Sequence, residues 1–112
     1  MAAISSRVGK FIRGHISSVW QLELLLIFRA SPSPLTSDDV GSRIYIDSNI
    51  LNPSICKFRD SGILVSLPDG KFKFAPEDET LAETIDELAS CYLDKKTSII
   101  NYIYDASFGE ID

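Results

Sequence analysis

The sequence predicts a mainly helical α+β domain that carries one small β-hairpin. Three observations predict this class: a nearly continuous apolar segment that ends in a Ser-Pro repeat, a Pro-Asp-Gly turn between two short alternating segments, and an acidic C-terminal stretch with apolar residues at helical spacing. A chain of 112 residues, 45% of them hydrophobic, is long enough to bury a core without disulfides or a metal ion. We therefore expect one domain that spans residues 1–112.

Two helices are predicted before the middle of the chain. The serine pair at 17–18 can cap a helix from about Val19 to Ala30, whose apolar residues are too continuous for a surface helix. The Ser-Pro repeat at 31–34 ends this helix, because proline lacks a backbone N–H and disfavours helical geometry in the residue before it. A second helix is predicted to begin at Thr36 or Ser37 and to run to about Tyr45.

A third helix is predicted between a short turn at 46–49 and Gly62, which lies where a left-handed helix cap is required. Pro53 falls inside this segment, and an interior proline destabilises a helix by about 3 kcal/mol. We therefore expect the helix to begin late, with Asn52 as its N-cap and Pro53 as its first residue.

Two short strands, Ile63–Ser66 and Lys71–Ala75, flank the turn Leu67-Pro68-Asp69-Gly70. Proline presets φ and glycine accepts a positive φ, so this arrangement indicates a β-hairpin. Helix, helix, turn, helix and hairpin is the order of elements in a winged helix. We assign residues 17–76 to a winged-helix core and residues 1–16 to an N-terminal arm or helix.

A single long helix is predicted for residues 77–104, followed by a frayed tail at 105–112. Thr80 and Glu83 fit a capping box at its start, and apolar residues recur along it at near-heptad spacing. This stripe either covers the core of its own subunit or pairs two subunits, and we expect its second half to form a homodimer. The expected dimer-interface residues are Leu88, Tyr92, Ile99, Ile100, Tyr102 and Ile103.

Two segments resemble a known family. Ile55-Cys56-Lys57-Phe58-Arg59-Asp60-Ser61-Gly62-Ile63-Leu64 is similar to the end of a recognition helix, and Phe72-Lys73-Phe74-Ala75-Pro76 is similar to an outgoing wing strand. On these residues the chain resembles bacterial winged helix-turn-helix transcription regulators, specifically the multiple-antibiotic-resistance-repressor group and its small relatives. The resemblance covers about Val19 to Tyr104. It implies that the third helix enters the major groove of DNA while the wing lies against the backbone.

Carried over residue by residue, the resemblance implies DNA contacts from the polar positions of the third helix and from the two lysines of the wing. Nearby arginines extend this set as phosphate-binding candidates. The alternative is a solvated surface on which cations and acids alternate. The candidate DNA-binding residues are Arg43, Ser48, Asn49, Asn52, Ser54, Lys57, Arg59, Lys71 and Lys73.

The net charge of −5 is spread unevenly along the chain. Residues 1–75 contain nine Lys and Arg against six Asp and Glu, whereas residues 76–112 contain two against ten. A mildly basic first part is compatible with a nucleic-acid partner, and the acidic C-terminal part would be repelled by DNA.

The composition argues against an enzyme. There is no phosphate-binding glycine loop and no signature of a nucleophile with its base. Cys56 and Cys91 lack metal-ligand spacing, and His15 is far from both in sequence. We therefore expect no catalysis, cofactor or metal. Two free thiols suit a reducing cytoplasm, and no apolar run approaches the roughly 20 residues that span a bilayer.

Together these patterns predict a cytoplasmic, bacterial, dimeric transcription regulator that binds double-stranded DNA. The alternative is a winged helix that binds another protein and does not contact DNA directly. The surface of the third helix and wing discriminates between the two: a continuous positive stripe favours DNA, and an apolar or acidic face favours a protein partner.

Overall fold

The chain is mainly helical, with one two-stranded antiparallel sheet. The structure, a computed structural model, describes residues 4–109, with side chains described for residues 4–105. Within this range the elements are α1 (Ser6–His15), α2 (Val19–Ala30), α3 (Ser37–Ile44), α4 (Ser48–Asp60), β1 (Leu64–Ser66), β2 (Phe72–Phe74), α5 (Glu79–Asp94) and α6 (Lys96–Gly109). The predicted α+β class is confirmed by this content.

The described elements group into two compact units. One unit consists of Leu22–Asp78, which contains most of α2, then α3, α4 and the hairpin. The other combines the chain before Leu22 with the chain after Asp78, and so contains α1, α5 and α6. Each unit has buried apolar side chains of its own.

In the unit 22–78, α4 packs against both α3 and β1. The strands pair in the register Leu64 with Phe74 and Ser66 with Phe72. On its other side Phe72 exchanges two backbone hydrogen bonds with Leu35, at 2.8 and 3.0 Å, so that β2 lies between β1 and Leu35. The buried apolar side chains of this unit are Leu22, Leu24, Leu25, Phe28, Leu35, Val40, Leu51, Ile55, Phe58, Ile63 and Leu64.

Several local predictions for this unit are confirmed. Helix α2 has the predicted bounds. Helix α3 begins after Thr36, whose side chain accepts from the backbone N–H of Asp39 at 3.1 Å, while the Asp39 carboxylate accepts from the backbone N–H of Thr36 at 2.9 Å. Gly62 (φ +82°) and Gly70 (φ +80°) take the left-handed conformation required of them. These features were predictable because each depends on a few neighbouring residues.

The expected start of the third helix is wrong. Helix α4 begins at Ser48, with Asp47 as its N-cap, and Pro53 lies inside it. The carboxylate of Asp47 accepts from the backbone N–H of Asn49 at 2.8 Å, which satisfies one of the free donors of the first turn. Pro53 removes only the bond to the carbonyl of Asn49, and both residues are exposed, so water can bond to that carbonyl.

In the other unit, α1 packs against α5 and α6, which also pack against each other. Aliphatic and aromatic side chains from all three helices are buried in this unit. Arg7 of α1 donates to a carboxylate oxygen of Glu87 at 2.8 Å and lies 3.5 Å from Glu83, on the exposed side of α5. The buried apolar residues are Val8, Phe11, Ile12, Ile16, Ile85, Leu88, Ala89, Tyr92, Ile99 and Ile103.

The predicted single helix over 77–104 is wrong, because Lys95 separates α5 from α6. The capping box of Thr80 and Glu83 is wrong as well, since α5 begins at Glu79 and Thr80 lies inside the helix. A continuous helix of that length would extend about 42 Å and would carry its last turns away from α1, which has ten residues. The break lets α6 return and pack against α1 and α5. Helix α6 also continues past residue 104 to Gly109, and the remaining part of the predicted tail, 110–112, lies outside the described residues.

None of the helices described within residues 4–109 combines the length and apolar character needed to cross a membrane.

Substituting Gly41 should destabilise the unit 22–78. A Cβ built at Gly41 would lie 2.6 Å from the backbone oxygen of Ile46, which cannot move aside as a flexible side chain could. We expect Gly41→Ala to lower the free energy of unfolding by about 1–3 kcal/mol, as overpacking usually does. Urea unfolding followed by circular dichroism measures this change.

Gly14→Ala is the matched control, because Gly14 is also helical and nothing lies within 4 Å of its built Cβ. This variant should be neutral or more stable by up to about 1 kcal/mol, since alanine favours the helix. Equal stability of the two variants would contradict the close approach at Gly41.

Candidate nucleic-acid interface

The turn that joins α3 to α4 is built by three consecutive residues. Tyr45 ends α3 in the left-handed conformation, with φ of 58°. The backbone N–H of Ile46 then donates to the carbonyl of Gly41 at 3.2 Å, which closes the last turn of α3. Asp47 caps α4. The two helices are therefore held across a turn with no flexible linker.

Helix α4 divides into a buried and an exposed side. Leu51, Ser54, Ile55 and Phe58 are buried, as expected for residues three and four apart on one face. The prediction that Ser54 contacts DNA is therefore wrong: it is only 8% exposed, because it follows Leu51 by three residues and precedes Phe58 by four. The exposed side can be mapped from a rotation of about 100° per residue.

On the exposed side of α4, Asn49 lies near the centre, with Pro53 and the half-buried Cys56 one and two turns further along. Ile50 and Lys57, seven residues apart, lie along one edge. The other edge carries the exposed Asn52 and Arg59, also seven residues apart. Ser48 is half-buried at the start of the helix. This surface is mostly polar and uncharged in its first two turns.

The predicted cations do not form a uniformly positive surface. Arg59 donates to the carboxylate of its neighbour Asp60 at 3.1 Å, and the ammonium group of Lys71 lies 3.7 Å from the carboxylate of Asp69. The other three predicted cations, Arg43, Lys57 and Lys73, are exposed. Over residues 22–78 there are six Lys and Arg against eight Asp and Glu, a net charge of −2. Of the five predicted cations, Arg43, Lys57 and Lys73 are therefore the best placed to attract a polyanion.

The hairpin presents a narrow exposed strip. Val65 and Lys73 face each other across the strands and are both exposed. Their neighbours Leu64 and Phe74 also pair, and they point to the opposite side because side chains alternate along a strand. Lys73 can therefore reach a partner, whereas Lys71 is half-buried.

Exposed apolar side chains occur on the same unit, and sequence reasoning missed them. Tyr45 is 93% exposed, Ile50 is 58% exposed and Val65 is 44% exposed. Beside Tyr45 lies an open groove of about 400 Å³. The available signal was periodicity, because Ile50 falls outside the spacing of the buried residues of α4. The groove is lined by Asp38, Gly41, Ser42, Tyr45, Ile46, Asp47 and Ser48.

The predicted dimer interface is mostly buried within a single chain. Leu88 and Ile99 are fully buried, and Ile103 and Tyr92 are 1% and 8% exposed. These side chains are used by the packing of α1, α5 and α6, so they cannot also pair with a second subunit. The two remaining residues of the predicted interface, Ile100 and Tyr102, are half-buried. A Cβ built at Gly9 would lie 2.6 Å from the Tyr102 hydroxyl, which shows how closely α6 approaches α1.

Two carboxylates have pKa values below their usual range. The pKa of Asp39 is lowered mainly by the hydrogen bond from the backbone N–H of Thr36, then by the Thr36 side chain, with small contributions from nearby Lys71 and Arg43. The pKa of Glu87 is lowered mainly by its hydrogen bond from Arg7. Both shifts arise from structural contacts at helix surfaces.

The part of the chain that the structure describes includes one histidine and two cysteines. It contains no group of three His, Cys, Asp or Glu side chains that could hold a metal ion. Cys56 and Cys91 are free and half-buried. The ring of His15 lies 4.6 Å from that of Phe11, within α1. Comparisons with protein-family models, curated proteins and solved structures find nothing that matches this chain.

The capping box of α3 should make the stability of the fold depend on pH in the acidic range. Because the folded-state pKa of Asp39 is lowered, its ionised form stabilises the fold above the unfolded value of about 3.8, and this contribution is lost as pH falls through the folded-state pKa. We expect Asp39→Asn to lower the melting temperature at neutral pH. The difference from the wild type should shrink progressively in acid, as thermal denaturation at a series of pH values will show.

Asp38→Asn provides the control, because Asp38 lies in the same helical turn but outside the capping box. Its substitution should have a smaller effect at neutral pH. A difference in melting temperature between the wild type and Asp39→Asn that stays constant down to strongly acidic pH would contradict the role given to the Asp39 carboxylate.

Proposed function

We propose that residues 22–78 form a winged helix-turn-helix that binds double-stranded DNA, and that the protein acts as a transcription regulator. The order of elements supports this fold: α2, a β-bridge at Leu35, α3, a tight turn, α4 and a hairpin whose second strand pairs with Leu35. The observation that carries the function is the exposed side of α4. It presents Asn49 and Asn52 in its first two turns and Lys57 in its third.

In this proposal α4 lies in the major groove, with its first turns against the base edges. Lys73 on the hairpin, Arg43 on α3 and Lys57 in the third turn of α4 contact phosphates. Three phosphate contacts would lower the binding constant about 40-fold for a fourfold rise in salt. Such a dependence is shallow, because Arg59 and Lys71 are engaged by acidic neighbours.

A second candidate function is favoured by the exposed apolar side chains. Tyr45, Ile50 and Val65 lie on the turn, the third helix and the hairpin, on a unit whose net charge is −2. Tyr45 also lines the open groove, and exposed apolar side chains beside a groove are typical of protein-binding surfaces. In this alternative the same elements of the winged helix bind another protein.

Fluorescence anisotropy with a mixed-sequence DNA duplex at two salt concentrations tests the DNA proposal. Wild-type binding should weaken about 40-fold for a fourfold rise in salt, and Lys57→Ala/Lys73→Ala should reduce this to about 3- to 4-fold, because one phosphate contact remains. The double variant should also bind more weakly than the wild type at low salt.

Lys95→Ala/Lys96→Ala is the matched control, since it removes the same charge from two exposed positions outside the unit 22–78, Lys95 between α5 and α6 and Lys96 at the start of α6. It should leave both affinity and salt dependence unchanged. An equal loss in both double variants would indicate charge attraction without a defined interface. Absence of binding at low salt would overturn the DNA proposal and leave the protein-binding candidate.

A further inference from the structure

We propose that α4 selects A·T base pairs at the positions it contacts, with Asn49 and Asn52 reading adenine and Ile50 contacting a thymine methyl group. This inference rests on the proposed DNA-binding function. It names the class of DNA sequence that the same surface recognises.

The side chain of Asn52 is available for a partner because Asp47 is the N-cap of α4. Asp47 caps α4, so the side-chain amide of Asn52 is not used at the helix start. Asn49 and Asn52 are both exposed, and residues three apart lie on neighbouring positions of a helix surface. Each amide presents one donor and one acceptor group, which matches N7 and the N6 amino group of adenine in the major groove.

Apolar residues share the exposed side of α4 with these two amides. Ile50 is 58% exposed although it is a large aliphatic residue, and Pro53 is exposed one turn after Asn49. Ile50 lies on the edge of this surface opposite Asn52, where it could contact the C5-methyl group of a neighbouring thymine, the apolar feature of the major groove. Contact with that methyl group would remove the Ile50 side chain from water.

Guanine is most often recognised by an arginine or lysine that forms two hydrogen bonds with it. Neither residue type occurs in the first two turns of α4, where base contacts are expected. The first cation is Lys57, and Arg59 is held by Asp60 in the last turn. The reading surface therefore has partners for adenine and thymine and lacks those for guanine.

Because attraction to the phosphates is weak, the preference for A·T base pairs should be measurable. With few unpaired cations, non-specific binding is modest, and each well-formed amide–adenine pair is expected to discriminate by about 5- to 140-fold against the wrong base. Two such pairs should dominate the sequence preference of one chain.

Selection from a randomised duplex library by the full-length protein, followed by sequencing, tests the proposal. We expect enrichment of adjacent A·T pairs. Anisotropy titrations then compare the enriched duplex with three matched duplexes, in which the A·T pairs are replaced by G·C, adenine by 7-deazaadenine, or thymine by deoxyuridine. The first two replacements should weaken wild-type binding by at least about 5-fold, because each removes the adenine N7 contact or replaces the base.

Variants assign each contact to a side chain. Asn49→Ala and Asn52→Ala should each become insensitive to 7-deazaadenine at one position while keeping the wild-type salt dependence. Ile50→Ser should lose the preference for thymine over deoxyuridine. Asn101→Ala is the control, since it removes an exposed asparagine from α6 and should bind every duplex as the wild type does. Circular dichroism melting confirms that each variant is folded.

The outcomes separate the inference from the function on which it rests. Salt-dependent binding without A·T enrichment, or enrichment of G·C pairs, overturns the inference and leaves DNA binding in place. Enrichment of A·T pairs that persists unchanged in both asparagine variants also overturns it. Absence of binding to any duplex at low salt overturns both the function and the inference.

Discussion

The arrangement of α3 and α4 depends on one close backbone approach. The Cα of Gly41 faces the carbonyl oxygen of Ile46 so closely that any side chain at residue 41 would meet it. This contact allows the chain to reverse through a left-handed Tyr45 and to enter α4 at Asp47. A non-glycine residue in the left-handed region is disfavoured by roughly 1–2 kcal/mol, so the cap bonds and the packing of α3 on α4 must hold it there. The exposed side of α4 is positioned by this turn.

The turn also explains why Asp47, and not Asn52, is the N-cap of α4. Asp47 and Asn52 are both good N-cap residues, and Pro53 favours a start at Asn52. The reversal at residues 45–47 brings Asp47 into the capping position first, and the buried side chains of Leu51, Ile55 and Phe58 then keep the helix continuous through Pro53. Packing of three large apolar groups outweighs the loss of one backbone hydrogen bond at an exposed carbonyl.

Elements fixed by nearby residues could be predicted from the sequence, and those fixed by packing could not. The start of α3 after Thr36, the end of α4 just before Gly62 and the hairpin turn at Gly70 each follow from a few adjacent residues. The break at Lys95 has no such signal, because the residue is a good helix former and the apolar spacing continues through it. It follows from the distant α1, which offers a surface that α6 covers by turning back. The same packing buries Leu88 and Ile99, which a spacing argument alone assigns equally well to a second subunit.

The candidate site shows the same division between local and distant causes. Periodicity places Asn49 and Lys57 on the exposed side of α4 and should also have placed Ser54 on the buried side. The pairing of Arg59 with Asp60 and of Lys71 with Asp69 decides which cations remain for a partner, and it depends on side-chain geometry. With three of the five candidate cations left, on a unit of net charge −2, attraction to phosphate should be weak. In the proposed DNA complex, binding strength would therefore come from amide hydrogen bonds and apolar contacts to the bases, and such contacts carry sequence information that phosphate contacts lack.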